Sequence, residues 1–318
     1  MDSFCISHRK DVDGVGAAAL VAAATGATVI LSDYEDLTEN LGRIPDDAAQ
    51  LVLCDLGTDN ADLGGFLKEM KRIATKARVT YVDHHFMTES TKNRLRKAGV
   101  RVVHDEKECS SLLALKTFEA ELPQKARLVA LYGAVTDYMD NSPLAMKMME
   151  QEDRQFVLLE ASMLSYAMGR RAGEEGFPET VVKELAKMRL PHEIEGVPES
   201  AVRQLTEVAE LGNRVRDQGK RMGRLAYMVT TQYSTGTIAK LLIGAFRVPV
   251  GVALKEKERG WYEVSLRSTS EGKLHLGKSI ARISARLGGS GGGHRKAAGA
   301  RIPVERAEEM LGSLAKIV

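Results

Sequence analysis

Short apolar segments alternate with helical patterns over about the first 140 residues, and this alternation constrains the fold more than any other feature of the chain. The apolar segments are 3–7, 27–31, 49–55, 78–83 and 100–105. Short strands separated by helices are typical of βαβ units, so the pattern predicts an α/β fold with a mostly parallel sheet. In such sheets, ligands bind at the carboxyl ends of the strands.

The pattern changes twice further along the chain. From about residue 144, apolar residues recur at helical spacing, interrupted by proline and glycine, which predicts several consecutive helices. From about residue 223, strand-like and helical segments alternate again. We therefore predict an N-terminal parallel-sheet domain over 1–143, a helical linker over 144–222 and a smaller C-terminal α/β domain over 223–318.

Charge and hydropathy narrow the classes of function. The 45 Lys and Arg residues nearly balance the 43 Asp and Glu residues, a net charge of +2 that argues against a protein that binds long duplexes nonspecifically. No apolar run reaches the roughly 18–20 residues that cross a bilayer, so we expect no membrane association. The scattered cysteines, Cys5, Cys54 and Cys109, suit a reducing compartment, and we expect a cytoplasmic protein.

Acidic residues and histidines follow several of the predicted strands. The candidates are His8, Asp11 and Asp13 after the first strand, Asp55 after the third, Asp83, His84 and His85 after the fourth, and Asp137 in a later helical segment. Strand ends of one parallel sheet share an edge, so these side chains are expected to converge. Carboxylates and imidazoles without a thiolate favour Mn²⁺, Mg²⁺ or Co²⁺ over a structural zinc site, and there are enough of them for two ions.

Each candidate alone has an ordinary structural explanation. The stretch "DVDG" that contains Asp11 and Asp13 is typical of a loop or a helix N-cap. Asp55 alone fits a turn, and Asp137 alone fits an exposed carboxylate. The metal hypothesis depends on all of them occurring together, in order, at strand ends of one sheet.

Four N-terminal motifs and one C-terminal motif resemble a known family. "SHRKDVDG", "CDLG", "VDHH" and "TDY" resemble the four motifs of the DHH phosphoesterases, and "GGSGGGHRKAAG" with "VSLRS" resembles the DHHA1 domain that follows in that superfamily. The resemblance covers nearly the whole chain, with 144–222 the least diagnostic part.

The resemblance implies a role for each N-terminal candidate. His8 and Asp11 would bind one ion, Asp13, His84 and Asp137 a second, and Asp55 would bridge the two. Asp83 would orient a histidine, and His85 would face the scissile phosphate. The implied cofactor is a pair of Mn²⁺ ions, with Mg²⁺ or Co²⁺ as substitutes.

The C-terminal motif predicts a substrate-binding site. Glycines such as Gly291, Gly292 and Gly293 let a backbone approach a phosphate and donate N–H groups to it. His294 would add a donor, and Arg267 offers a planar fork that matches phosphate oxygens. A flexible linker is the ordinary reading of a glycine run, but this run is followed directly by His-Arg-Lys.

The motifs leave three functions open. The leading hypothesis is a Mn²⁺-dependent phosphodiesterase that converts short single-stranded oligonucleotides or small dinucleotides to nucleoside monophosphates. A phosphatase of 3'-phosphoadenosine 5'-phosphate would use the same ligands, and a catalytically silent nucleotide-binding scaffold would keep the fold alone. Substrate, polarity and oligomeric state are not readable from the sequence, and a homodimer is one option.

Overall fold

The computed structural model describes residues 2–57, 62–269, 274–293 and 295–318. The chain divides into two compact units, Met1–Leu205 and Thr206–Val318. The helices of the region 144–222 are thus distributed over both units. The predicted division into three segments, with boundaries at 143 and 222, stays a prediction.

The first unit alternates strands and helices before ending in consecutive helices. Its elements are β1 (Ser3–His8), α1 (Val12–Thr25), β2 (Thr28–Ser32), α2 (Leu37–Gly42), β3 (Gln50–Cys54), α3 (Leu63–Ala74), β4 (Arg78–Asp83), α4 (Glu89–Lys97), β5 (Val100–His104), α5 (Ser110–Thr117), α6 (Ala126–Thr136), α7 (Pro143–Met149), α8 (Arg154–Arg171), α9 (Phe177–Ala186) and α10 (Val197–Gln218), which continues into the second unit. The five strands predicted for this region are all present, with ends shifted by at most one residue.

The five strands form one parallel sheet in the order β2-β1-β3-β4-β5. Successive strand residues enter different cores, because side chains alternate between the two faces of a strand. Cys5 and Val52 pack with α1, α5, α6 and α8, whereas Ile6 and Leu53 pack with α2 and α3. The sheet is therefore covered by helices on both sides, which explains its nearly continuous apolar strands.

The described part of the second unit is a mixed sheet with three α-helices after α10. Its elements are β6 (Lys220–Met222), β7 (Leu225–Thr230), α11 (Thr235–Phe246), β8 (Val250–Glu258), β9 (Trp261–Ser268), α12 (Leu276–Arg286), β10 (Ser290–Gly293), β11 (Ala297–Pro303) and α13 (Ala307–Ala315). The strand order is β10-β11-β9-β8-β7-β6, parallel only between β7 and β8. This confirms the predicted α/β fold with two dissimilar sheets.

Two short strands of the second unit were not predicted. β6 has three residues, and β10 lies within the glycine run itself. Glycine is normally depleted in strands, so its pairing with β11 is a consequence of tertiary packing rather than of local preference. Among the described residues, no helix is long and apolar enough to cross a membrane.

Candidate metal centre

The carboxyl ends of three neighbouring strands carry the predicted site residues. β1 ends at His8, β3 ends just before Asp55, and β4 ends at Asp83, immediately before His84. Because β3 lies between β1 and β4 in a parallel sheet, these residues emerge at one edge. The sheet order, which the sequence could not supply, is what brings them together.

The donor atoms form three overlapping groups. Within each group, one potential ligand atom per residue lies within 4.8 Å of the others. The groups are His8, Asp11 and Asp55; Asp13, His84 and Asp137; and Asp55, His84 and His85. All six predicted ligands, together with His85, therefore lie in a single cluster.

Asp55 stands between the first two groups. Its Oδ2 atom lies 3.8 Å from Nδ1 of His8, and its Oδ1 atom lies 3.4 Å from Nε2 of His84. The same His84 nitrogen lies 3.6 Å from Oδ2 of Asp137 and 3.9 Å from Oδ2 of Asp13. The two oxygens of one carboxylate thus face two different sets of donors.

The start of α1 fixes the position of Asp11, the residue directly before the helix. Asp11 is the N-cap, and its Oδ1 accepts the backbone N–H of Gly14 at 2.9 Å, while Oδ2 lies 2.9 Å from Nδ1 of His8. A Cβ atom at Gly14 would lie 2.3 Å from the carbonyl oxygen of His8, so only glycine lets the helix begin this close to the strand. The "DVDG" stretch is a helix start and a candidate metal site at once.

Two serines that sequence reasoning missed hold the buried carboxylates. The backbone N–H groups of Ser110 and Ser111, at the start of α5, donate to Oδ2 and Oδ1 of Asp13 at 2.7 and 2.8 Å. The Ser110 hydroxyl donates to Oδ1 of Asp55 at 2.9 Å. These bonds orient the ligands as outer partners do in metal sites. The sequence shows only an ordinary helix start at this point.

Asp83 and His85 form a pair beside the donor cluster. Oδ1 of Asp83 lies 2.9 Å from Nδ1 of His85, and the buried Tyr81 hydroxyl donates to the other oxygen at 3.1 Å. A Cβ atom at Gly57 would lie 2.8 Å from Cβ of His85, so that glycine makes room for the ring. Among the described residues, Asp83 belongs to none of the three donor groups, and its contact with His85 suits an orienting group.

The loop after β2 contributes two further side chains that the sequence analysis did not select. Oδ1 of Asp33 lies 3.9 Å from Nε2 of His8, and the hydroxyl of Tyr34 lies 3.3 Å from Nε2 of His85. β2 is the neighbour of β1 in the sheet, so its carboxyl end reaches the same edge. Applying the strand-end rule to "ILSDY" would have found both residues.

Burial and mutual repulsion perturb the titration of the cluster. Burial, followed by the charges of Asp11, Asp13 and Asp83, raises the pKa of Asp55 well above its usual range. Partial burial and the charges of Asp13 and Asp11 raise the pKa of Asp137 to about 7. Burial also lowers the pKa of His84. Such shifts are typical of carboxylates and imidazoles that are buried together at one site.

The pKa of His85 shifts in the opposite direction from the pKa of His84. Burial alone would lower the pKa of His85, but the hydrogen bond and charge of Asp83, together with the charges of Asp137 and Asp11, outweigh burial and raise it. A histidine held this way is well suited to stay protonated beside an anion.

The donor set fits divalent metal ions. Asp13 and Asp55 are 2% and 1% exposed, and burying several carboxylates together is costly unless cations neutralise them. Oxygen and imidazole donors without a thiolate match Mn²⁺ and Mg²⁺ better than a closed zinc site. The described cysteines, all buried and free, take no part in the donor groups.

The C-terminal candidates lie in the second unit. Arg267 belongs to β9, and its Nη1 donates to the carbonyl of Leu266 at 2.9 Å. Gly291–Gly293 form most of β10, the edge strand that pairs with β11. A Cβ atom at Gly277, in the first turn of α12, would lie 1.8 Å from the Gly293 carbonyl oxygen, so helix and glycine strand are in close contact. His294 lies outside the described residues.

Comparisons with known proteins agree with this geometry. Residues 224–318 match the family model of the DHHA1 domain. No curated protein sequence matches the chain.

Three solved structures share the fold. PggH, a pGpG-specific phosphodiesterase from Vibrio cholerae, aligns with a TM-score of 0.63 and 14% identity over 99% of this chain and 98% of its own. The DHH domain of a protein assigned to a family of ribosomal proteins gives 0.71 and 15% over 99% of this chain and 86% of that chain. RecJ from Thermus thermophilus in complex with Mn²⁺ gives 0.63 and 16% over 99% of this chain but 51% of that chain. At these identities the likeness shows a shared fold.

Residues 224–318 thus match the DHHA1 domain, and the chain shares its fold with solved structures that include a DHH domain and RecJ. Both findings agree with the resemblance seen in the sequence.

Proposed function

We propose that the protein is a two-metal phosphodiesterase that uses Mn²⁺ to hydrolyse short single-stranded oligonucleotides or small dinucleotides to nucleoside monophosphates. The observation that carries this proposal is the position of Asp55, whose two oxygens face His8 on one side and His84 on the other. A carboxylate between two donor groups suits a pair of ions better than one ion.

Each ion would have its own ligands. His8 and Asp11 would hold one ion, Asp13, His84 and Asp137 the other, and Asp55 would be shared. When bound, such ions would lower the pKa of a water molecule toward neutrality and neutralise negative charge on a phosphate. Mg²⁺ or Co²⁺ would be substitutes in the same positions.

The remaining groups of the site would act on the substrate. His85, with its Nδ1 held by Asp83, would donate from Nε2 to the scissile phosphate and stabilise charge that develops there. Without the ions the carboxylates of this edge would repel a phosphate, so substrate binding itself should require metal.

The second unit would hold the rest of the substrate. Residues 206–318 contain 20 Lys and Arg against 10 Asp and Glu, a net charge of +10, whereas residues 1–205 contain 25 against 33, a net charge of −8. Arg267, the backbone of Gly291–Gly293 and His294 are the proposed phosphate contacts within this basic unit.

A small substrate is favoured by the fold that the chain shares with a phosphodiesterase specific for pGpG, itself a small substrate. We therefore place di- to tetranucleotides ahead of long single strands, and expect no binding of long duplexes.

A substrate panel tests the proposal. Purified protein with Mn²⁺ should release nucleoside monophosphates from linear dinucleotides, trinucleotides and tetranucleotides faster than from 20-mers. Equal or faster cleavage of 20-mers would refute the preference for short substrates. Release of inorganic phosphate from 3'-phosphoadenosine 5'-phosphate alone would support the phosphatase instead. Nucleotide binding without turnover with Mn²⁺, Mg²⁺ or Co²⁺ would support the silent scaffold.

A further inference from the structure

Tyr34 contacts His85 at the candidate site without belonging to any of the motifs. It follows β2, and its ring packs against the core formed by α2, α3 and the neighbouring strands. Its hydroxyl leaves that core and lies 3.3 Å from Nε2 of His85. A phenylalanine would fill the same apolar space, so the hydroxyl is the part that packing does not explain.

His85 is held on three sides. Its Nδ1 lies 2.9 Å from Oδ1 of Asp83, its backbone carbonyl lies 2.7 Å from Nε2 of His104, and its Nε2 faces Tyr34. Because the Asp83 carboxylate accepts the Nδ1 proton, Nε2 is left for Tyr34. A neutral ring accepts the Tyr34 O–H there, and a protonated ring donates to the Tyr34 oxygen. In both protonation states the plane of the His85 ring is set by one partner on each nitrogen.

The Tyr34 ring also lies near two histidines of the site. Its centroid is 5.3 Å from that of His8 and 6.3 Å from that of His85, and its plane is nearly perpendicular to that of His85. Tyr34 is therefore a neighbour of both a proposed metal ligand and the proposed phosphate donor.

We infer that Tyr34 is a positioning residue: its hydroxyl keeps the His85 ring in the orientation in which Nε2 acts on the scissile phosphate. This inference rests on the proposed function, because it gives His85 a reacting partner. A donor misdirected by about 1 Å can lose much of its effect on a transition state, so the loss should appear in kcat.

A double-mutant cycle between Tyr34 and His85 tests the inference. Tyr34→Phe should lower kcat on a dinucleotide by about tenfold, as expected for one hydrogen bond, with KM and Mn²⁺ affinity within about twofold of the wild type. In a His85→Ala background the same substitution should have no further effect on kcat, because the group that it aims is gone. His85→Gln provides the same cycle should the alanine variant not fold.

Tyr227→Phe is the matched control, since it removes the hydroxyl of a partly buried tyrosine in β7, in the other unit. It should leave kcat unchanged. Unchanged kcat in Tyr34→Phe, or an equal loss in the presence and absence of His85, would overturn the inference. A wild-type protein that turns over none of the substrates would instead refute the proposed function, so the two failures are distinguishable.

Discussion

Asp55 combines an unusual backbone with an unfavourable charge. It has φ of +56°, a left-handed conformation that Asp and Asn tolerate better than most residues. Burial, followed by the charges of three other aspartates, raises the pKa of its carboxyl well above the usual range. A carboxyl whose pKa is higher in the folded than in the unfolded protein retains protons on folding. The metal-free protein should therefore lose stability as pH rises from about 4 through the raised pKa.

Replacing Asp55 by Asn tests this conflict. Without metal at pH 8, the amide removes the buried negative charge and keeps the backbone conformation, so Asp55→Asn should raise Tm by roughly 3 °C, which corresponds to about 1 kcal/mol in a unit of this size. Added Mn²⁺ should stabilise the wild type more than the variant. Thermal denaturation in EDTA and in Mn²⁺ measures both.

Asp47→Asn is the control, because Asp47 is an exposed carboxylate. It should behave as the wild type in both conditions. A metal-free Asp55→Asn protein that is less stable than the wild type at pH 8 would show that the buried charge of Asp55 does not destabilise the metal-free protein.

Asp137 links metal binding to pH. Its pKa of about 7 means that this carboxyl is partly protonated at neutral pH in the metal-free protein. A metal ion binds the deprotonated form, so binding releases a proton and affinity falls as pH decreases through 7. Calorimetric titration should show Mn²⁺ affinity falling by about tenfold between pH 7.5 and 6. Asp137→Asn should bind more weakly and with a flatter pH dependence; an equally steep dependence in the variant would contradict the assignment.

At the scale of elements, the alternation of strands and helices could be predicted because each strand is apolar and turn-forming residues mark the connections. The strand ends then predicted His8, Asp55 and His84 as neighbours. Two features that the sequence analysis missed depend on contacts distant in sequence: the start of α5 reaches Asp13, and the loop after β2 reaches His85. No local pattern distinguishes the start of α5 from an ordinary helix start, whereas the loop after β2 could have been found from its place at a strand end.

Contact between α6 and α5 makes one helical glycine essential to the site. A Cβ atom at Gly133 would lie 2.0 Å from the hydroxyl oxygen of Ser111 and 2.6 Å from Oδ1 of Asp13. Gly133→Ala should destabilise the protein by about 1–3 kcal/mol through overpacking and should weaken Mn²⁺ binding, because Asp13 is displaced. Denaturation and metal titration of the variant measure the two effects.

Gly169 offers the matched substitution. It also lies within a helix, α8, but a Cβ atom there would meet nothing within 4 Å. Gly169→Ala should stabilise the protein by about 0.5–1 kcal/mol and leave metal binding unchanged. If both alanines gave the same result, the proposed contact with Asp13 would be wrong.

At the scale of the whole molecule, the small net charge conceals two units of opposite sign. The net charge of +2 is the balance of −8 for residues 1–205 and +10 for residues 206–318. The net charge of the whole chain therefore gave no sign of the excess of positive charge with which the second unit can attract anions. Whether two copies of the chain associate stays a prediction.

The basic unit should make substrate binding depend on salt. We expect KM for a dinucleotide to rise by about threefold between 50 and 300 mM NaCl, with kcat nearly constant, because salt screens the attraction of phosphate to the unit. Steady-state kinetics at several salt concentrations measure this. Lys296→Ala, in the C-terminal motif, should flatten the dependence, whereas Lys125→Ala, in the acidic unit, should not. A KM that is insensitive to salt would exclude this role for the charge.

The number of Mn²⁺ ions bound per chain tests the central claim most directly. Calorimetric titration of metal-free protein should give two ions per chain for the wild type and at most one for Asp55→Asn, because that residue is proposed to be shared. One ion or none in the wild type, or two ions retained in the variant, would contradict the two-metal site.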